Sequence, residues 1–116
     1  MGVETTIDVE WAHATAPGAS IVLLTSPVAE TNGVQGMAEF LYLETYALDH
    51  NLGTIISQSW GVTENTLFTS QQGLQVFSDF ENLYARAVRQ HVTVLPQPAT
   101  MVPAVRISRA AFTRFR

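Results

Sequence analysis

The stretch Gly53–Trp60, GTIISQSW, decides the fold, because a short apolar run here lies between two segments of helical periodicity. The helix before it is predicted to begin at a cap formed by Asn32 and to end at Asn51. Its apolar residues recur at spacings of three, four and seven: Val34, Met37, Ala38, Leu41 and Leu48. The chain is therefore predicted to pass from a helix into a buried strand that opens at Gly53.

The same order of helix and strand recurs on both sides. A third helix is predicted near 71–90, and it leads into a strand, HVTVL, at 91–95. Its apolar face is predicted to comprise Leu74, Phe77, Phe80, Tyr84, Ala87 and Val88. Towards the N-terminus, a helix over about 3–15 stops at Pro17–Gly18, and SIVLLT, 20–25, follows as another buried strand. Strands that are apolar on both faces and alternate with helices predict an α/β fold, with a parallel sheet covered by helices.

Composition places the chain among globular proteins of one domain. Its 116 residues are 47% hydrophobic and 14% charged, and they include no cysteine, which excludes disulfides and thiolate metal sites. The apolar runs are far shorter than the roughly 20 residues that span a bilayer, and no secretory leader is recognisable. We therefore expect no membrane-spanning helix and no membrane partner.

Charge divides the chain into two parts. All ten acidic residues lie between Glu4 and Glu81, and all six basic residues are arginines from Arg86 onward. An acidic body lacks the basic footprint that a nucleic-acid backbone requires, so nucleic acid is not expected as a partner. The change in composition predicts one domain over 1–95 and a divergent Pro/Arg-rich tail over 96–116.

The tail admits three interpretations. It holds three of the five prolines and four of the six arginines, without any acid or glycine. A disordered basic tail fits this composition, and so does a basic amphipathic helix over 107–116 that touches a membrane or a partner. The third interpretation is a segment foreign to the fold, produced by a shifted reading frame or a broken gene.

Glu4 and Asp8 lie four positions apart in the first predicted helix, so their side chains share one face. Two carboxylates at that distance hold a single proton over a range of acidic pH and titrate as a pair. Such a pair can act as a general base toward a hydroxyl in acid, where a histidine is protonated. The alternative is that both acids point into water near the helix N-terminus, where the helix dipole favours them.

The two acids belong to a longer ordered pattern. It reads E-x-x-x-D-x-E-x-A-x-A-x-A-P-G-A from Glu4 to Ala19, and continues through strand, loop and helix to S-x-S-W-G-x-x-E at 57–64. This order and spacing resembles the sedolisin family of serine-carboxyl peptidases, which have a subtilisin-like fold. The resemblance covers Val3 to about Leu95, and implies the N-terminal part of a catalytic domain.

The resemblance implies a role for each matched residue. Glu4 would be the base for a serine nucleophile, and Asp8 would orient it and share its proton, as histidine and aspartate do in a Ser-His-Asp triad. Trp60 would lie beside the acids and the substrate cleft, shielding the carboxylates from water and donating one hydrogen bond. A plain core aromatic is the alternative for Trp60. Ser59 and Gly61 would bind or support substrate, although Ser59 also fits a strand-end hydrogen bonder.

The chain departs from the family pattern after Leu95. Where the family has an S-G-D turn whose aspartate completes the oxyanion hole, this chain has Pro96-Gln97-Pro98, and no G-T-S motif with the nucleophile follows. This departure favours the broken-gene interpretation of the tail and predicts that the chain alone is inactive. The family's calcium site belongs to a missing part, so no cofactor is expected. A protein or peptide substrate and an extracellular location are implied by the resemblance.

Two other functional classes stay open. One is a module that binds peptide without chemistry at the strand ends TSPV, 25–28, and SQSW, 57–60; the other is a purely structural α/β unit. An incomplete sheet exposes an apolar edge, so self-association is also predicted. The histidines are scattered and have no second ligand at metal-binding spacing, so a metal site is not predicted: His13, His50 and His91.

Overall fold

The computed structural model describes residues 2–96, except for the side chains of residues 2–4, Glu30 and Glu64. The elements of this part are α1 (Gly2–Thr15), α2 (Val34–Asp49), β1 (Ile55–Ser57), α3 (Glu64–Leu67), α4 (Gln71–Arg89) and β2 (Thr93–Leu95). A 3-10 turn at Glu30–Asn32 leads into α2. The predicted tail lies outside the described residues beyond Pro96.

The two strands form a parallel pair. The register joins three positions: Ile55 with Thr93, Ile56 with Val94 and Ser57 with Leu95. Parallel neighbours require a long crossover, and α4 supplies it here. The described part of the chain thus combines helices with a two-stranded parallel sheet, which agrees with the predicted α/β class. The subtilisin-like architecture stays a prediction.

The predicted strand at 20–25 is wrong. These residues have no regular secondary structure, and Val22 and Leu23 are 55% and 53% exposed. A short strand is stable only with a hydrogen-bonded neighbour and an apolar cover. Within residues 2–96, β1 pairs with β2 alone, and Ile55 of β1 is itself 62% exposed. Among residues 2–96, the run at 20–25 therefore has neither a paired strand nor an apolar cover.

The hydrophobic core lies between α2 and α4, with α3 packed at one margin. Its buried members are Met37, Leu48, Leu67, Val76, Phe80, Leu83 and Ala87. Two residues of the predicted α4 face, Leu74 and Val88, are instead exposed, while Val76 and Leu83, which were not predicted, are buried. The helix itself was predicted correctly, and four of the six predicted residues lie in the core or pack against it: Phe77, Phe80, Tyr84 and Ala87.

Both long helices end in the same kind of turn. Asn51 after α2 and His91 after α4 have left-handed φ values of 50° and 58°. The amide after each of these residues donates to a helix carbonyl, Leu52 to Ala47 at 3.1 Å and Val92 to Ala87 at 2.9 Å. This is the Schellman arrangement, and it reverses the chain from each helix into the following strand.

The two long helices begin differently. The predicted cap of α2 by Asn32 is wrong, since Asn32 lies in the 3-10 turn and Gly33, with φ 64°, precedes the helix without a side-chain cap. A left-handed φ at that point suits glycine. At α4, the side chain of Ser70 accepts a hydrogen bond from the Gly73 N–H at 3.0 Å, an ordinary N-cap.

The first predicted helix is confirmed as α1, which ends before the Pro17–Gly18 turn. Its surface is largely uncovered, and Trp11 is 70% exposed. Among the described residues, no other element packs extensively along α1. The core between α2 and α4 therefore forms without it.

Candidate functional site at the end of the first strand

Gln58 follows the last residue of β1 and places its side chain in the core. Its backbone N–H donates to the Leu95 carbonyl at 2.9 Å and so continues the ladder to β2. The side chain is only 6% exposed, which is rare for glutamine. Its amide must therefore find partners inside the protein.

The partners come from the two long helices. The Gln58 amide nitrogen donates to Oε1 of Glu44 on α2 and to the hydroxyl of Tyr84 on α4, the latter at 3.1 Å. The second carboxyl oxygen of Glu44, Oε2, is buried and has no hydrogen-bond partner among the described residues. We call Glu44, Gln58 and Tyr84 the polar cluster. It joins α2, the end of β1 and α4.

Burial shifts the protonation of this cluster. It raises the pKa of Glu44 from 4.5 to about 7, and the hydrogen bond from Gln58 offsets part of that rise. Burial also raises the pKa of Tyr84, with a further increase from the charge of Glu44. Glu44 is therefore a neutral acid under mildly acidic conditions, and Tyr84 keeps its proton.

A row of aromatic rings lies beside the polar cluster. Trp60 stacks on Phe40 of α2 with ring centroids 4.8 Å apart, and it contacts Phe80 of α4 at 5.5 Å. Phe80 in turn lies 5.8 Å from Tyr84. These separations lie in the favourable range for aromatic pairs. We call these four residues the aromatic row; it fixes the chain two residues beyond Gln58.

The polar cluster can hold a proton, and its members Glu44 and Gln58 are shielded from solvent, at 5% and 6% exposed. A buried carboxyl without a counter-ion is favoured in its neutral form. Since Oε1 of Glu44 accepts from Gln58, Oε2 is the oxygen left to carry the proton. The arrangement thus suits a buried acid that holds three elements together.

A second contact between α2 and α4 lies at the surface. Arg86 and Asp49 form an ion pair with N and O atoms 2.6 Å apart, and both side chains are substantially exposed. A shallow groove runs beside it, lined by Leu41, Thr45, Asp79, Asn82, Leu83, Arg86 and Arg89. An exposed pair of this kind contributes less than about 1 kcal/mol, so the buried groups carry most of the helix contact.

The residues predicted for catalysis are placed as follows. Asp8 is exposed on α1, and the backbone of Glu4 lies in the same helix while its side chain is outside the described part. Trp60 makes its ring contacts with Phe40 and Phe80, and it donates no hydrogen bond within the described residues. The pairing of the two acids and their approach to Trp60 therefore stay predictions.

The other predicted positions are at the surface or near it. Ser59 is half-buried and Gly61 is exposed, with open space around its Cα. The TSPV segment, 25–28, follows no strand, so of the two predicted strand ends only SQSW, 57–60, lies at the sheet. That end is the one held by the polar cluster and the aromatic row.

Sequence reasoning missed Glu44, although a signal was present. Its position falls on the buried face of α2, three residues after Leu41 and four before Leu48. An acid within an apolar helical stripe is either buried and neutral or paired. The partner could not be read from the sequence, because Gln58 follows 14 residues later and Tyr84 a further 26.

Comparisons with protein-family models, with curated proteins and with solved structures found no match to this chain. No helix among the described residues is long and apolar enough to cross a membrane. Within that same part of the chain, no group of three or more acidic or histidine side chains is arranged to hold a metal ion.

Proposed function

We propose that this chain is the N-terminal part of an acid-acting serine-carboxyl endopeptidase domain of the sedolisin type. The proposal rests on one observation, the ordered match from Glu4 and Asp8 to the S-x-S-W-G run at Ser57–Gly61. Two features are consistent with that order. Both acids fall within α1, and the serine run follows a strand of a parallel pair.

In the proposed mechanism, Glu4 removes the proton from a serine hydroxyl as that serine attacks the peptide carbonyl. Asp8 shares the proton with Glu4 and orients it, so that the pair remains a competent base in acid. Ser59, Trp60 and Gly61 would form one wall of the substrate cleft. The nucleophilic serine and the oxyanion-hole aspartate are not matched among these 116 residues and would have to come from other sequence.

A non-catalytic peptide-binding or structural α/β module is the second candidate. Two observations favour it: Trp60 is engaged in the aromatic row, and each strand of the described sheet has an unpaired edge. An extended peptide can add to such an edge through backbone hydrogen bonds. Retention of peptide without cleavage would distinguish this candidate from the peptidase.

A chimera tests the peptidase proposal directly. Residues 3–95 would replace the matching segment of an active sedolisin-type enzyme, and cleavage of a fluorogenic peptide would be followed from pH 3 to 7. We expect acid activity in the chimera and a fall of about three to four orders of magnitude in kcat for Glu4→Gln. Asp8→Asn should also lower kcat, and shift the acid limb of the pH profile.

Glu10→Gln is the matched control, since Glu10 lies on the same helix outside the proposed pair. If a smaller graft is needed for folding, residues 3–19 alone carry the pair. Full activity of Glu4→Gln in a folded chimera would contradict the peptidase proposal.

The coding sequence gives an independent test. The nucleotides downstream of the Leu95 codon would be translated in all three frames. We expect one frame to encode an S-G-D turn and, later, a G-T-S motif. Absence of both from every frame would remove the broken-gene interpretation and weaken the peptidase proposal. A secretory leader encoded in frame upstream of the Met1 codon would support the proposed extracellular location.

A further inference from the structure

We propose that Glu44 and Gln58 are positioning residues for the strand end, Ser57–Gly61, and that loss of the Glu44 proton loosens their hold on it against α2 and α4. The strand end is the segment between β1 and the turn that precedes α3. Its position bears on the proposed catalytic function, because it would form a wall of the substrate cleft. The proton-dependent hold itself is independent of that function.

The strand end depends on side chains for its position. Its last ladder hydrogen bond is the one from the Gln58 N–H to Leu95. From Ser59 to Val62, no backbone hydrogen bond is found among the described residues. Within Ser57–Gly61 the anchors are therefore the Gln58 amide, in the polar cluster, and the Trp60 ring, in the aromatic row. Val62, just beyond, packs against the core.

Loss of the Glu44 proton places a charge among these anchors. The ionised carboxylate would keep one hydrogen bond, from Gln58, and Oε2 would carry charge without any donor in the described residues. A buried anion in that state is strongly disfavoured and draws water. The segment that can move aside at least cost is the strand end, since the two helices are held by their own backbone bonds.

Among residues 2–96, no basic side chain forms an ion pair with Glu44. Across from Glu44, α4 presents the neutral phenol of Tyr84, near which Glu81 adds negative charge, and Arg86 is engaged by Asp49. The residues of β1 carry no titratable side chain. The 3-10 turn that packs on α2 contributes only one acid, Glu30, whose side chain is outside the described part. Within the described part of the chain, the charge of an ionised Glu44 therefore has no basic partner.

Trp60 reports on the strand end by its fluorescence. Trp11→Phe removes the only other tryptophan, which is exposed on α1, and leaves Trp60 as the single emitter. In this background we would measure the emission maximum and acrylamide quenching from pH 4 to 9. We expect a red shift and at least a twofold increase in quenching, with a midpoint near pH 7 and unchanged helical circular dichroism.

Variants of the anchors complete the experiment. Glu44→Gln has the shape of the protonated acid, so the Trp60 emission maximum should remain at its short-wavelength value from pH 4 to 9. Gln58→Leu removes the polar anchor, so Trp60 should be quenched more readily already at pH 5. Glu39→Gln, on the same helix but outside the polar cluster, is the matched control and should titrate like the parent.

Three outcomes would overturn the proposal. The Trp60 emission of the parent could stay constant from pH 4 to 9, the transition near pH 7 could persist in Glu44→Gln, or the helical circular dichroism could be lost together with the red shift. The last outcome would mean that the whole domain unfolds. The fluorescence titration tests the role of Glu44 and needs no peptidase activity. The chimera tests the peptidase proposal and needs no change in Trp60 emission. Failure of one experiment therefore leaves the other proposal to be judged separately.

Discussion

Gln58 at the end of β1 donates a hydrogen bond to the buried carboxyl of Glu44 on α2, and thereby joins the sheet to a helix through a neutral acid. Tyr84 on α4 accepts from the same amide. Three elements thus meet at one polar group inside an otherwise apolar core. The stability of this core must depend on the protonation of Glu44.

Folding stability should decrease as the pH rises. Burial raises the pKa of Glu44 from 4.5 in the unfolded chain to about 7 in the folded protein. The contribution of protonated Glu44 to the free energy of unfolding is therefore fully present below pH 4.5 and is lost as the pH rises to 7. This pKa shift corresponds to a loss of about 3 kcal/mol in the free energy of unfolding. We expect urea midpoints to fall over this range, and Glu44→Gln to level the curve at its acid value. A curve that Glu44→Gln leaves unchanged would contradict the assignment.

Gly73→Ala should destabilise the fold. A Cβ at Gly73 would overlap the backbone carbonyl of Leu67, with the Leu67 Cα only 2.9 Å away. Alanine normally improves a helix by about 1 kcal/mol over glycine, but the enforced shift of α3 should cost about 1–3 kcal/mol. Gly18→Ala, which meets no atom within 4 Å, is the control. A higher Tm for Gly73→Ala would refute this packing.

His91→Gly should stabilise the protein. The φ of 58° at His91 strains a residue with a Cβ, and glycine relieves that strain at some cost in chain entropy. The net gain should be about 0.5–1 kcal/mol, or a few degrees in Tm by calorimetry. Gln90→Gly introduces the same residue where φ is −89° and should lower Tm. Equal effects of the two substitutions would argue against the left-handed turn.

Exposed apolar surface should make the chain self-associate. Ile21, Val22 and Leu23 are largely exposed, and the strands of the described sheet have unpaired edges. In sedimentation velocity at tens of micromolar, Val22→Asp should shift the distribution toward the monomer. Ser20→Asp adds the same charge at an exposed polar position and should change it little. A monomeric parent chain would disprove the prediction.

Local patterns predicted much of the fold. The spacing of Met37, Leu41 and Leu48 identified α2, and Pro17–Gly18 marked the end of α1. The apolar runs before Gln58 and Pro96 became the two parallel strands. These predictions succeeded because helix periodicity, strand composition and chain-reversing residues act over a few neighbouring positions.

Two predictions, the strand at 20–25 and the Asn32 cap, were wrong. The run at 20–25 has the composition of a buried strand, but nothing in the described part of the chain pairs with it or covers it. Asn32 is a good capping residue, yet the chain enters α2 through a 3-10 turn and Gly33. The first prediction failed because a strand needs a paired and covered neighbour, and the second because the local backbone path placed Gly33 at the start of the helix.

The sequence by itself determined the long helices and the two strands, while the resemblance carried by Glu4, Asp8 and Trp60 stays a prediction. Only the tertiary structure decided which acid is buried: Glu44 lies in the core and Asp8 lies at the surface. The physical reason is that a carboxyl becomes neutral through desolvation, and desolvation depends on what packs over it. Glu44 meets Gln58, which in turn donates to Tyr84, and both of these residues lie on other elements far along the chain.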